Sequence, residues 1–258
     1  MFYVRGGSLV ETQSGVAIFF PAWNEAANLP YVVESAITYL QSRGEPYTVI
    51  IVDDGSTDNT VEIVQELENT YPGRLRYVRH DRNLGYGAAL RTGFAEGLRT
   101  GLDWVGFCDA DGQFNPRDVD KLIRGAAETG SEVAIGYRIK RADTFERRMM
   151  GLGWRWLSQL VLGYNARDVD CGFKVFRRQA LAVISADLRG DHATISPEML
   201  ARAMRAGLRI TEVGVNHYPR HSGEASGANM NVVWASLLGL IFIRQSFNRT
   251  VEMTPRTA

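Results

Sequence analysis

Trp104-Val105-Gly106-Phe107-Cys108-Asp109-Ala110-Asp111-Gly112-Gln113 joins an apolar run to two acids one residue apart. The run reads as a buried strand, and Asp109 marks its carboxyl end, where open α/β sheets keep their ligand crevice. Two carboxylates with a Gln amide oxygen two residues on form a hard oxygen set. Such a set suits Mg²⁺ or Mn²⁺ bound together with substrate phosphates. The competing reading is an acidic loop that caps the next helix, because Asn115-Pro116 has the form of an N-cap followed by proline at the first helical position.

Outward from this strand, short apolar runs alternate with amphipathic stretches. The alternation predicts an α/β fold: one domain, a mostly parallel sheet, helices on both faces. Strands are expected at 16–20, 48–52, 75–79, 103–108, 132–136, near 172–176 and at 210–215. Helices are expected at 28–41, 58–70, 86–99, 116–128, 145–162 and 197–206. Residues 1–14 read as an N-terminal extension, 15–227 as the domain, and 228–258 as a terminal apolar helix and tail.

Composition narrows the function classes. With 29 basic and 29 acidic residues in 258, there is no basic excess for a nucleic-acid partner. Cys108 and Cys171 cannot build a disulfide framework and no signal peptide is seen, so the expected compartment is the cytoplasm. The longest apolar run, 232–243, would cover about 18 Å as a helix against a hydrocarbon core of ~30 Å. It reads as a packed or an interfacial helix, not a span, which leaves open association with a membrane surface.

The loops after the first four strands are the unusual feature. They read Pro21-Ala22-Trp23-Asn24-Glu25, Asp53-Asp54-Gly55-Ser56-Thr57-Asp58, Asp81-Arg82-Asn83-Leu84-Gly85-Tyr86-Gly87, and the stretch holding Asp109, Asp111 and Gln113. Parallel strands put all four at one sheet edge. Singly they are ordinary turn and cap chemistry; together they make a polar rim with acids and glycines.

These loops carry a family resemblance. The chain resembles the inverting glycosyltransferases of family 2, with the Rossmann-like nucleotide-sugar-binding fold termed GT-A. Within them it is similar to dolichyl-phosphate mannose synthases and related polyprenyl-phosphate hexosyltransferases. The first loop matches with Trp23 in the usual place of Tyr; 52–58 matches nearly letter for letter. Asn83-Leu84-Gly85 with Gly87, Asp109-Ala110-Asp111-Gly112-Gln113, Gly136-Tyr137-Arg138, Asp170-Cys171-Gly172-Phe173-Lys174 and Arg220 continue the match over about 15–225.

The resemblance implies that Asp54 and Glu25 face the base and ribose of a GDP- or UDP-hexose donor, with Pro21 and Asn24 shaping the pocket wall. Asp109, Asp111 and Gln113 would hold Mg²⁺ or Mn²⁺ against the diphosphate. Arg138, Arg147 and Arg220 would converge on phosphates, which guanidinium forks bind bidentately. Glu198 is the candidate base or acceptor-orienting carboxylate; its other reading is a first-turn helix acid behind Pro197. His192 and His217 read as bystanders. The branch commonly follows its late arginine with Gly-x-Ser-Lys, whereas this chain reads His221-Ser222-Gly223-Glu224.

The expected activity is therefore metal-dependent inverting transfer of a hexosyl group to a polyprenyl-phosphate-type acceptor. The alternative is the same donor chemistry on a hydroxyl acceptor, with Glu198 as base. A nucleotide-binding module without turnover would have no need of the acids and late arginines together. A dinucleotide-binding dehydrogenase would want Gly-x-Gly-x-x-Gly after the first strand, where Pro-Ala-Trp-Asn-Glu stands.

Overall fold

Central strands buried on both faces are apolar at consecutive positions, and their side chains alternate between the two faces. Strand β1 (Gln13–Ala22) does this. Ala17 and Phe19 enter one core layer, whereas Val16, Ile18 and Phe20 enter the other. β2 (Tyr47–Asp53) repeats the pattern with Ile50 and Val52 on the first side and Val49 and Ile51 on the second. In the computed structural model, which describes residues 13–139, 145–220 and 230–252, a seven-stranded sheet separates these layers.

The remaining strands are β3 (Leu75–Arg79), β4 (Leu102–Cys108), β5 (Val133–Arg138), β6 (Phe173–Arg177) and β7 (Ile210–Val215). Their order is β3-β2-β1-β4-β6-β5-β7. β1 pairs parallel with β2 and β4, and β2 parallel with β3, so four loops share one edge. β6 alone runs antiparallel, against both β4 and β5.

The helices are α1 (Leu29–Ser42), α2 (Thr60–Thr70), α3 (Tyr86–Arg99), α4 (Val119–Thr129), α5 (Phe145–Leu162), α6 (Arg178–Ser185), α7 (Ile195–Arg205) and α8 (Met230–Glu252). The expected elements are all present, with three corrections. β1 begins at Gln13, inside the expected extension, and runs on through Pro21, which pairs with Val52. α6 was not anticipated. Pro197 is the third residue of α7, not its first. Asn115 caps as expected, its side chain accepting from Arg117 N–H ahead of Pro116.

One layer of the core is built on rings. Phe19, Phe94 and Phe107 pack with centroids 5.2–5.9 Å apart, and Phe176 adds an edge contact to Phe94 at 5.6 Å. α3 lies close on β1 because Gly93 has no side chain: a Cβ there would lie 2.2 Å from the Phe19 ring. Gly93→Ala is expected to destabilise the domain by about 1–3 kcal/mol through overpacking, read by urea or thermal unfolding. An unchanged midpoint would show that α3 can ride up without loss.

Candidate active site

Side chains tie each loop of the shared edge to the next. Asn24 holds a left-handed backbone (φ 57°). Its Oδ1 accepts Thr57 N–H at 2.8 Å and its own N–H donates to Ser56 Oγ at 2.9 Å, joining the first loop to the second. Asp54, only 3% exposed, braces the third loop: Oδ1 accepts Leu84 N–H at 2.9 Å and lies 2.7 Å from His80 Nδ1, while Oδ2 accepts Gly85 N–H at 2.8 Å. Tyr86 then donates its hydroxyl to Asp109 Oδ1 at 2.8 Å, joining the third loop to the fourth.

The two acids at the tip of β4 are held from several directions. Asp111 is buried; its Oδ1 accepts Gln113 N–H at 3.0 Å and its Oδ2 accepts the Arg220 guanidinium at 2.8 Å. Asp109 donates its N–H to Gly172 O at 3.0 Å. Gly172 is obligatory there, since a Cβ would lie 1.8 Å from Asp109 Oδ2. Burial, with the Asp111 charge next in size, pushes the Asp109 carboxyl up to about 7. The Tyr86 hydroxyl and the Lys174 and Arg138 cations pull the other way.

A close pair of carboxylates, one of them raised by its neighbour, is short of positive charge. That is the condition a divalent cation relieves. Among the described residues no group of three His, Cys, Asp or Glu side chains forms a metal cage. This donor set fits Mg²⁺ or Mn²⁺ carried by one or two carboxylates and completed by substrate phosphates.

The other expected residues fall into place unevenly. Glu25 is half-buried: burial raises its carboxyl, the Asn28 hydrogen bond opposes this, and the Asp111 charge adds to the rise against Arg220. It also shapes the entry to α1, its Oε2 accepting Asn28 Nδ2 at 2.5 Å. Pro21 is buried within β1. Gln113 turns its amide Nε2 to Tyr218 O at 3.2 Å, while its own carbonyl accepts Tyr218 N–H at 2.8 Å, which draws the segment carrying Arg220 to the tip of β4. Arg138 is held in a fork by Asp168, Nε to Oδ2 and Nη2 to Oδ1, each at 2.7 Å. Arg147 lies in the first turn of α5, and its side chain is outside the described residues, as are that of His192 and all of 221–229. His217 stacks edge-on against Phe114.

Glu198 is the clear correction. It is fully buried, its Oε2 accepting the N–H groups of Arg189 and Gly190 and its Oε1 accepting two donors from Arg202. A carboxylate so enclosed and ion-paired takes no proton from an acceptor in a cleft; it clamps the 189–191 loop. That loop in turn sits on α3, where Asp191 Oδ1 accepts Gly87 N–H at 3.2 Å and Gly190 O accepts Arg91 at 2.6 Å. A Cβ on Gly87 would lie 2.5 Å from Gly190 O, so this glycine seats a protein loop.

Four participants carry no role in the sequence expectations: Tyr86 and Lys174, which stand in the quoted motifs, and Asp168 and Asp191, which do not. Lys174 is the most informative. It is fully buried, donates to Cys171 O and, at 3.3 Å, to Ser196 Oγ, and places its ammonium 5.3 Å from the Phe107 ring centroid. Burial lowers its pKa, and Asp109 is among the charges that sustain it. A lysine at an inward position of Phe173-Lys174-Val175-Phe176 was the available signal.

Away from the acids, α5 and α8 pack together and present an apolar ridge. Met149, Trp156 and Leu160 of α5 are 52%, 67% and 84% exposed, and Leu238, Ile241 and Phe242 of α8 are 67%, 54% and 52% exposed. The opposite side of α8 buries Leu240, Ile243 and Phe247. Among the described residues, no helix is long and apolar enough to cross a membrane.

Comparison with known proteins places these features in a family. A UDP-N-acetylglucosamine–dolichyl-phosphate N-acetylglucosaminyltransferase of Methanococcus voltae is 29% identical over 245 residues, covering 89% of this chain and 96% of that protein. A polyprenol monophosphomannose synthase of Mycolicibacterium smegmatis is 28% identical over 223 residues, covering 83% and 82%. Glucosyl-3-phosphoglycerate synthase of Mycobacterium tuberculosis, solved with Mn²⁺ and UDP-glucose, shares the fold with a TM-score of 0.65 at 21% identity, over 88% of this chain and 79% of that one. The sequence model for glycosyl transferase family 2 matches residues 17–184, and the chain, a glycosyltransferase with a GT-A fold, belongs to that family.

Proposed function

We propose that the protein transfers a hexosyl group, with inversion, from a UDP- or GDP-sugar to a polyprenyl-phosphate-type acceptor, assisted by Mg²⁺ or Mn²⁺ at Asp109 and Asp111. The observation that carries this reading is the acid pair at the tip of β4, with Asp109 raised to about 7 and, among the described residues, no third His, Cys, Asp or Glu to complete a metal cage without substrate phosphates. The likeness to dolichyl-phosphate and polyprenol-phosphate transferases supports the acceptor.

Glu25 and Asp54, with Pro21 and Asn24 as wall, take the nucleoside side of the donor. Arg220, already on Asp111, and Arg138, oriented by Asp168, supply guanidinium charge to phosphates, with Arg147 as a third. Gln113 contributes to the metal site through its amide. An oxygen of the acceptor phosphate attacks the anomeric carbon from the face opposite the diphosphate. The bond from that carbon to the diphosphate oxygen breaks, and the nucleoside diphosphate leaves with the electron pair. The divalent ion, when bound, neutralises charge on the departing diphosphate.

A phosphate monoester is already an anionic nucleophile near neutral pH and needs no general base. The enclosure of Glu198 supports this acceptor over an alcohol, which would need one. The ridge of α5 and α8 supports work at a membrane surface, since exposed contiguous apolar side chains of this kind mark interaction faces.

Three outcomes are expected. Asp111→Ala abolishes Mn²⁺-dependent transfer from UDP- or GDP-sugars to a short polyprenyl phosphate while the melting temperature of the metal-free protein holds; activity at the wild-type rate would end the reading. Because the Asp109 carboxyl is raised from 3.8 to about 7, the metal-free fold binds that proton more tightly than the unfolded chain. Its stabilisation is complete below about 4 and fades as pH rises through about 7. The thermal shift from added Mn²⁺ therefore grows from pH 5 to pH 8, and a shift that shrinks over that range counts against the site. Leu160→Asp weakens co-sedimentation with lipid vesicles without changing Mn²⁺ or nucleotide binding; undiminished sedimentation would remove the ridge from the account.

A further inference from the structure

Between α8 and the 189–194 loop lies a cavity of about 240 Å³ that the acid pair does not use. Phe242 and Ile243 line one side, Arg189, Asp191 and Thr194 the other, and Ser236 closes it. Ser236 is 3% exposed, and among the described residues its hydroxyl has no hydrogen-bond partner. Buried hydroxyls are almost always satisfied, so this one marks a place where a ligand's polar group belongs. Arg189 is exposed while lining the cavity, and among the described residues no ion pair holds its guanidinium. Asp191 brings a negative charge, but its Oδ1 is taken by Gly87 N–H at the start of α3, where a helix offsets a carboxylate. Thr194 is spent within the loop, its hydroxyl bonded to the backbone of Asp191.

The cavity connects two features described above. On one side it shares Phe242 with the exposed apolar ridge. On the other it shares Asp191 with Gly87, whose neighbour Tyr86 donates to Asp109. A chain leaving an apolar surface would thus pass Phe242, meet Ile243, and reach the Ser236 hydroxyl and the Arg189 guanidinium, on a loop that α3 links to Asp109 through Gly87 and Tyr86.

We propose that this cavity seats the phosphate-proximal isoprenyl portion of the acceptor, with Arg189 and Ser236 holding the phosphate ester and Phe242 and Ile243 the chain. The proposal rests on the polyprenyl-phosphate reading above and adds to it the site and the residues that recognise the lipid. The ligand class is an amphiphilic anion, neither free phosphate nor a neutral lipid.

The test is calorimetric titration of the full chain, without donor, with citronellyl phosphate, inorganic phosphate and citronellol. Citronellyl phosphate is expected to bind saturably, at least about tenfold more tightly than either of the others. Arg189→Ala, on the surface, and Ser236→Leu, which fills the cavity, each weaken it by about tenfold or more, while nucleoside diphosphate binding with Mn²⁺ stays at the wild-type level. Gly239→Ala, whose Cβ would meet Thr194 at 3.0 Å, narrows the same space and serves if Ser236→Leu does not fold. Equal affinity for inorganic phosphate, or wild-type affinity in the variants, overturns the cavity assignment and leaves the acceptor class standing. No binding of citronellyl phosphate by the wild type, together with transfer to a hydroxyl acceptor, overturns both.

Discussion

Two carboxylates held at the end of one strand repel each other, and much of the surrounding architecture answers that repulsion. Arg220 reaches Asp111 from beyond β7, Tyr86 reaches Asp109 from the start of α3, and Lys174 and Arg138 set positive charge behind Asp109. Each comes from a different segment, so the pair is stable only when the sheet order is complete. Even so, burial and proximity leave Asp109 raised to about 7. A divalent cation at the proposed site would relieve that crowding of charge.

The rim is rigid for a related reason. Most of its links run from a side-chain acceptor to a backbone N–H on the neighbouring loop: Asn24 to Thr57, Asp54 to Leu84 and Gly85, Asp191 to Gly87. Such bonds fix the loop's course whatever its exposed side chains are. Close approach at Gly172 and Gly87 removes further freedom. Ligand-contacting groups are then presented by loops whose geometry is set before a ligand arrives, which lowers the ordering cost of binding.

The first four strands and the acid pair were legible because each has a local signature: an apolar run, then an acid or a turn residue. Direction is not local. Phe173-Lys174-Val175-Phe176 reads the same whichever way it runs, so the antiparallel course of β6 was invisible. α6 escaped because it begins at Arg178, directly after β6 ends at Arg177, with no turn residue between them. Glu198 as a first-turn helix acid was legible, but its enclosure was not: its four donors come from Arg189, Gly190 and Arg202, and only folding brings the first two to it. The bond from Gln113 Nε2 to Tyr218 O was not legible, because it depends on a segment far along the chain.

The reversed strand has a consequence for how a change spreads through the sheet. In the order β3-β2-β1-β4-β6-β5-β7, the strands up to Cys108 lie on one side of a seam and the strands from Val133 to Val215 on the other. β1 pairs only with β2 and β4, and of these β4 alone meets the far side, through its antiparallel pairing with β6. A change confined to β5 or β7 therefore reaches the parallel strands β1 to β3 only through β6 and β4.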